Sequence, residues 1–249
     1  MFVGIMLNRF QEKFLFYPTK LDKDLPYQFP WPHEEWFIET EPDIEINALY
    51  FKSEQSKGVV LYFHGNAGAL DDWGFVAEDF LKRNYDLVII DYRGYGKSTG
   101  QLSKENDFHT DASAFYDQLL ETYKEDQIVL LGRSMGTGVA AKLAADRRPK
   151  ALILETPYYS LESLIKHYAP VIPVSILKYK LPTFQWLAVA DCPVHIIHGT
   201  NDEVIPYDNA VRLKEVNHPN LNFTTVPNAG HNNLSTFADY GNFLDQALN

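Results

Sequence analysis

The sequence predicts an α/β protein: a mostly parallel central sheet with helices on both faces. Two observations carry that expectation. Short apolar runs, GVVLYF (58–63), DLVIID (86–91), IVLL (128–131), ALILE (151–155) and VHIIH (194–198), have the make-up of strands buried on both sides. Between them apolar residues recur at three- and four-residue intervals, as in Trp73, Val76, Ala77, Phe80 and Leu81, or Phe108, Ala112, Phe115 and Leu119, which is the period of an amphipathic helix. Strands alternating with helices build parallel sheets, and such sheets bind ligands beyond the carboxyl ends of their strands.

The elements follow in chain order. Residues 14–33, FLFYPTKLDKDLPYQFPWPH, hold Pro18, Pro26, Pro30 and Pro32, so an extended segment wrapping the fold is expected there. Trp36–Thr40 and Ile44–Phe51, separated by Glu41-Pro42-Asp43, predict an edge β-hairpin. GVVLYF ends in the loop His64-Gly65-Asn66-Ala67-Gly68, and DLVIID ends in YRGYGKSTG, after which Ser103 is the expected cap of the next helix. IVLL turns through Gly132-Arg133-Ser134-Met135-Gly136 into a helix marked by Val139, Ala140, Leu143 and Ala144. NFTTV (222–226) is the last strand, and Phe237, Tyr240, Phe243, Leu244 and Leu248 mark the closing helix. Residues 158–191 depart from the rhythm: Tyr158, Tyr159, Tyr168, Tyr179, Phe184 and Trp186 stand there with Pro170, Pro173 and Pro182. The segment follows a strand's carboxyl end and is read as a small cap. Residues 1–249 are read as a single domain.

Composition excludes several classes of function. Hydrophobic residues make up 45% and charged residues 22%, an ordinary globular balance. A net charge of -11 leaves no basic surplus to release counterions, which argues against nucleic acid or anionic membrane as a partner. The one cysteine, Cys192, excludes an internal disulfide and a cysteine-based zinc site, and fits a reducing, cytoplasmic setting. No stretch reaches the roughly 18 apolar residues of a membrane-spanning helix. The opening MFVGIMLNRF lacks the basic start and cleavage site of a signal peptide and suits a short amphipathic contact.

The chemistry centres on the G-x-S-x-G corner. A strand that turns sharply into a helix presents Ser134 at a strained backbone angle, with the helix N-terminus beside it to favour an oxyanion. A serine hydroxyl is a poor nucleophile and needs a base, which in turn needs an orienting group. Of the eight histidines, His231 follows the last strand in VPNAGHNN and comes last in the order serine, acid, histidine. His64 is read as a support of its own loop, and His195 and His198 as strand residues. Asp202, in the loop after VHIIH, is the expected acid, with Glu203 and Glu155 as rivals. The backbone N–H groups of Met135 and Asn66 are the candidate oxyanion-hole donors. The glycine clusters fit neither a P-loop nor a dinucleotide fingerprint.

Taken together, FLFYP, YFHGNAG, DYRGYGKSTG, GRSMG, GTNDEVIP and NAGH resemble the α/β-hydrolase superfamily. More narrowly, the chain is similar to the group holding α/β-hydrolase-domain depalmitoylases, lysophospholipase-like and serine-aminopeptidase-like proteins. The resemblance covers nearly all residues after Phe14. It implies a serine esterase or thioesterase acting on a small-molecule or acyl substrate through Ser134, His231 and Asp202, without metal or organic cofactor. Two alternatives stay open. An aminopeptidase or amidase would need a carboxylate such as Glu155 or Glu162 at the pocket mouth, and a silent hydrolase fold would act as a binding module.

Overall fold

A computed structural model describes residues 11–249. The opening MFVGIMLNRF, expected as an amphipathic contact, lies outside the described residues. The strands are β1 Tyr17–Pro18, β2 His33–Glu41, β3 Ile44–Phe51, β4 Val59–Phe63, β5 Ala67–Gly68, β6 Asp86–Ile90, β7 Ile128–Arg133, β8 Ala151–Glu155, β9 Val194–Gly199 and β10 Leu221–Val226. The helices are α1 Glu12–Leu15, α2 Leu70–Trp73, α3 Ala77–Leu81, α4 Glu105–Leu120, α5 Gly136–Asp146, α6 Leu161–Tyr168, α7 Thr183–Leu187, α8 Asp208–Lys214 and α9 Ala238–Ala247.

An eight-stranded sheet runs in the order β10-β9-β8-β7-β4-β6-β3-β2. From β10 to β6 every neighbouring pair is parallel, and the β2–β3 hairpin adds an antiparallel edge. This is the α/β-hydrolase fold that the motifs implied. Successive side chains of a strand point to opposite faces, so a strand covered on both sides must be apolar throughout. Val59, Leu61 and Phe63 of β4 accordingly belong to the core on the face that also holds Phe108 of α4, Val139 of α5 and Leu213 of α8. Val60 and Tyr62 pack on the other face with Leu70 of α2, Phe80 of α3 and Phe243 of α9.

Three local expectations need correction. Residues 14–33 are not wholly irregular, because Glu12–Leu15 form a helical turn and Tyr17–Pro18 pair in parallel with Ala67–Gly68. The helix expected around residues 73–81 is broken into α2, a 3₁₀ turn at Gly74–Val76 and α3. The cap of α4 lies one residue later than expected, at Lys104, and the polarity is reversed: the Asp107 carboxylate accepts from Ser103 N–H, Ser103 Oγ–H and Lys104 N–H. A carboxylate in a helix's first turn also complements the helix dipole. Among the described residues no helix is long and apolar enough to cross a membrane.

The corner between β7 and α5 leaves no room for side chains at two positions. A Cβ on Gly136 would fall 2.0 Å from the Phe63 carbonyl oxygen, and one on Gly132 would fall 2.3 Å from the Gly136 carbonyl oxygen. Helix α5 can start there only because both positions lack a side chain. The turn sets Ser134 at φ 51°, a left-handed conformation rare outside glycine. Ser134 N–H donates to the Glu155 carbonyl at 2.9 Å, and the Ser134 carbonyl accepts from Thr137 N–H and Oγ–H at 3.0 and 2.6 Å. Gly136→Ala is expected to cost about 1–3 kcal/mol by overpacking, measured by urea unfolding. A loss below about 0.5 kcal/mol would mean that the corner relaxes freely.

Candidate active site

Three loops at the carboxyl ends of β7, β9 and β10 bring Ser134, Asp202 and His231 together. His231 Nε2 lies 3.0 Å from Ser134 Oγ, and Nδ1 lies 2.8 Å from Asp202 Oδ2. An ionised carboxylate can only accept, so the Nδ1–H donates to Asp202, and Nε2 is left with its lone pair toward the serine hydroxyl. All three side chains are buried.

Asp202 is surrounded by donors. Its Oδ1 accepts from Val204 N–H at 2.9 Å and Ile205 N–H at 2.7 Å. Fully buried His198 directs Nε2 at the Ile205 carbonyl, 2.9 Å away, and the same nitrogen lies 3.1 Å from Asp202 Oδ2. Burial opposes ionisation of Asp202, but His198, His231 and the Ile205 N–H together outweigh it and hold the carboxyl well below the usual carboxylate range. His198, set aside as a strand residue, thus belongs to the surroundings of the acid. Its position directly before the GTND loop was the only sequence signal of that.

The rival carboxylates lie elsewhere. Glu155 is fully buried and accepts from Tyr240 O–H at 2.7 Å. Burial raises it above its ordinary value, against the pull of Arg133 and the Tyr240 hydroxyl. Glu203 is exposed. Arg133, the residue before the serine, covers the Trp73 ring at 5.2 Å and reaches the His231 carbonyl at 3.4 Å, linking two loops of the site.

The HGNAG loop passes close to the serine: a Cβ on Gly65 would sit 3.7 Å from Ser134 Cβ. Among the described residues, neither Asn66 N–H nor Met135 N–H donates to a protein acceptor. The loop is braced from several sides. Tyr17 N–H and Tyr95 O–H donate to the Asn66 carbonyl at 3.3 and 2.8 Å, Thr19 N–H donates to the Gly68 carbonyl at 3.1 Å, and Tyr92 O–H donates to the His64 carbonyl at 2.8 Å. Between β8 and β9, Tyr158 and Leu181 pack with Ile205, so residues of the 158–191 segment touch the turn that wraps Asp202. Among the described residues no group of three or more His, Cys, Asp or Glu side chains is arranged to hold a metal ion.

Fold and sequence together define a serine-hydrolase-fold protein of the α/β-hydrolase superfamily. The family model described as serine aminopeptidase, S33, matches residues 54–191, more than half of the 249 residues, and the chain belongs to that family. The matched stretch contains HGNAG and GRSMG and stops short of Asp202 and His231. An uncharacterised protein of Mycobacterium tuberculosis H37Rv is 30% identical over 200 residues, 78% of this chain and 71% of its own. The lysophosphatidylserine lipase ABHD12 of Danio rerio is 32% identical over 207 residues, 70% of this chain and 53% of its own, so the chain spans about half of that protein. The Pyrococcus furiosus esterase Pf2001 shares the fold with a TM-score of 0.73 at 19% identity, covering 94% of this chain and 99% of its own.

The charge state of Asp202 has a consequence for stability. A carboxyl held below its ordinary value of 3.8 stabilises the fold above that pH, and the contribution is lost as the pH falls through the lowered value. Asp202→Asn should therefore flatten the fall in unfolding free energy below about pH 4, measured by denaturant unfolding at a series of pH values. An acid limb identical to wild type would show that the carboxylate is not held ionised by the fold.

Proposed function

We propose that the chain is a hydrolase of carboxylic esters or thioesters that works through an acyl-enzyme on Ser134. On this reading residues 1–249 act as one domain and residues 158–191 form a small cap over the site. The observation that carries the reading is the unbroken chain of contacts from Ser134 Oγ through His231 to Asp202, at 3.0 and 2.8 Å, on a left-handed strand-to-helix corner. His231 Nε2 takes the hydroxyl proton as Ser134 Oγ attacks the acyl carbonyl. Asp202 keeps the imidazole in the required tautomer and stabilises the imidazolium. The tetrahedral oxygen is met by the N–H groups of Met135 and Asn66, which have no acceptor among the described residues to give up first. Collapse passes the proton to the departing alcohol or thiol. Water then repeats the sequence on the acyl-enzyme and releases the acid.

The aminopeptidase reading needs a free carboxylate to receive the substrate's ammonium group. Glu155 is fully buried and engaged by Tyr240, so that reading rests on Glu162 alone, half-buried in the first turn of α6, and the esterase reading, which needs no such group, is preferred. A silent fold, for its part, gains nothing from holding a serine, a histidine and an ionised aspartate in this register.

Fluorophosphonate labelling followed by turnover of p-nitrophenyl esters of increasing chain length tests the proposal. Wild type should label and Ser134→Ala should not, with ester turnover lost in the variant; undiminished turnover in Ser134→Ala would discard the assignment. Asp202→Asn should lower kcat by about 10⁴-fold through the wrong imidazole tautomer. Glu155→Gln should leave kcat within a few-fold of wild type, and the reverse pattern would move the acid role to Glu155.

A further inference from the structure

His64 and Asp91 form a buried pair that the proton path through His231 does not use, and both side chains are fully enclosed. They meet because their strands end level: β4 and β6 pair in parallel with Phe63 opposite Ile90, so the next residue of each emerges at the same height. His64 Nδ1 lies 2.7 Å from the Gly65 carbonyl oxygen, and Nε2 lies 3.2 Å from Asp91 Oδ1. A carbonyl oxygen is only an acceptor, so Nδ1 carries a proton. A further proton lies between Nε2 and the Asp91 carboxyl, since two bare acceptors there would repel. Asp91 Oδ2 accepts from Leu70 N–H at 3.3 Å. The imidazole is also stacked on Trp73 at 5.4 Å with 20° between the planes, so it cannot swing away.

The covalent geometry of the peptide turns this contact into a statement about the site. The Gly65 carbonyl and the Asn66 N–H belong to one planar trans unit and point in opposite directions. Holding the carbonyl therefore fixes the direction of the N–H, in a loop whose Gly65 Cβ position would lie 3.7 Å from Ser134 Cβ. A hydrogen bond to the carbonyl also draws electron density out of the amide and makes its N–H a stronger donor. We infer that His64, held by Asp91, is a positioning residue that orients and polarises the Asn66 N–H for the developing oxyanion. The inference rests on the ester-hydrolase reading and adds to it the group that makes one donor effective. A histidine present only to fill space beside Trp73 would need neither nitrogen in register with an acceptor.

The test uses the full chain, with active sites counted by fluorophosphonate labelling run to completion and p-nitrophenyl butyrate as substrate. His64→Leu should lower kcat per counted site by about 10²-fold, the scale of losing one oxyanion donor, with KM within about twofold. Affinity for a trifluoromethyl ketone analogue of the tetrahedral intermediate should fall by the same factor. His64→Asn, whose amide can still reach the Gly65 carbonyl, should recover about tenfold of the loss. Asp91→Asn should lower kcat by about tenfold, and it carries the test if His64→Leu does not fold. The inference is overturned if the folded variants keep kcat per counted site within about twofold, or if the loss falls in KM with ketone affinity unchanged. A wild type that neither labels nor turns over esters would defeat the ester-hydrolase reading itself, whereas an active wild type with unaffected variants would defeat only the role of His64.

Discussion

The rest of the site depends on how closely the start of α5 is pressed against the end of β4. With 2.0 Å between a hypothetical Gly136 Cβ and the Phe63 oxygen, the helix axis and the strand edge share space that only backbone occupies. The chain can reach that approach only by a sharp turn, and the turn forces Ser134 into the left-handed region at φ 51°. Such a conformation costs about 1–3 kcal/mol in a non-glycine residue and persists only where the surroundings over-determine it. Here the Glu155 carbonyl holds the Ser134 N–H from the neighbouring strand, and Thr137 holds the Ser134 carbonyl from the first turn of the helix. Presentation of the hydroxyl is therefore a property of the sheet edge as a whole.

The same device appears on both sides of the proposed oxyanion. Each candidate donor is the forward end of a peptide whose carbonyl is bound from behind: Ser134 C=O by Thr137 for the Met135 N–H, and Gly65 C=O by His64 for the Asn66 N–H. Strand β1 and the DYRGYG motif add further ties to the HGNAG loop, through Tyr17 and Thr19 on one side and Tyr92 and Tyr95 on the other. The N-terminal segment is tied in the other direction as well. Gln11 donates to the Ile176 carbonyl and accepts from Lys178 N–H, and Glu12 accepts from Lys178 Nζ and the Tyr179 hydroxyl. A short strap thus joins the loop beside Ser134 to the segment proposed as a cap.

What was legible in the sequence is what local pattern encodes. Buried strands are apolar along their length, helices carry a three-to-four period, and a reactive loop must follow a strand's carboxyl end. Those rules narrow the search to loops after apolar runs, and the G-x-S-x-G corner with the order serine, acid, histidine then points to Ser134, Asp202 and His231. Partners fixed by a turn's return or by strand order left little trace. His198 contacts Asp202 through the return of the 202–205 turn, and Asp91 meets His64 only because β6 lies beside β4. The pairing of Tyr17–Pro18 with Ala67–Gly68 was equally hidden. A two-residue strand has no periodicity, and the prolines around it argue for irregular chain. At Ser103 the sequence points to a favoured cap residue one position before the actual N-cap, Lys104, and the roles are exchanged: Ser103 donates and the Asp107 carboxylate accepts.

Two carboxylates on adjacent strands show why residue type alone does not assign a role. Glu155 ends β8 and Asp202 follows β9, so both lie at the carboxyl edge of the sheet. Each is buried, and burial raises both. Asp202 has two backbone N–H groups on one oxygen and two imidazoles at the other, so its anion is better solvated by the protein than by water. Glu155 has one hydroxyl bond, from Tyr240, and the pull of Arg133, which do not offset its enclosure. The environments therefore push the two groups in opposite directions: one carboxyl stays charged at neutral pH, and the other is biased toward its proton. On the proposed reading the charged carboxylate is the one that stabilises an imidazolium forming beside it, and the number of donors around each acid decides which of the two that is.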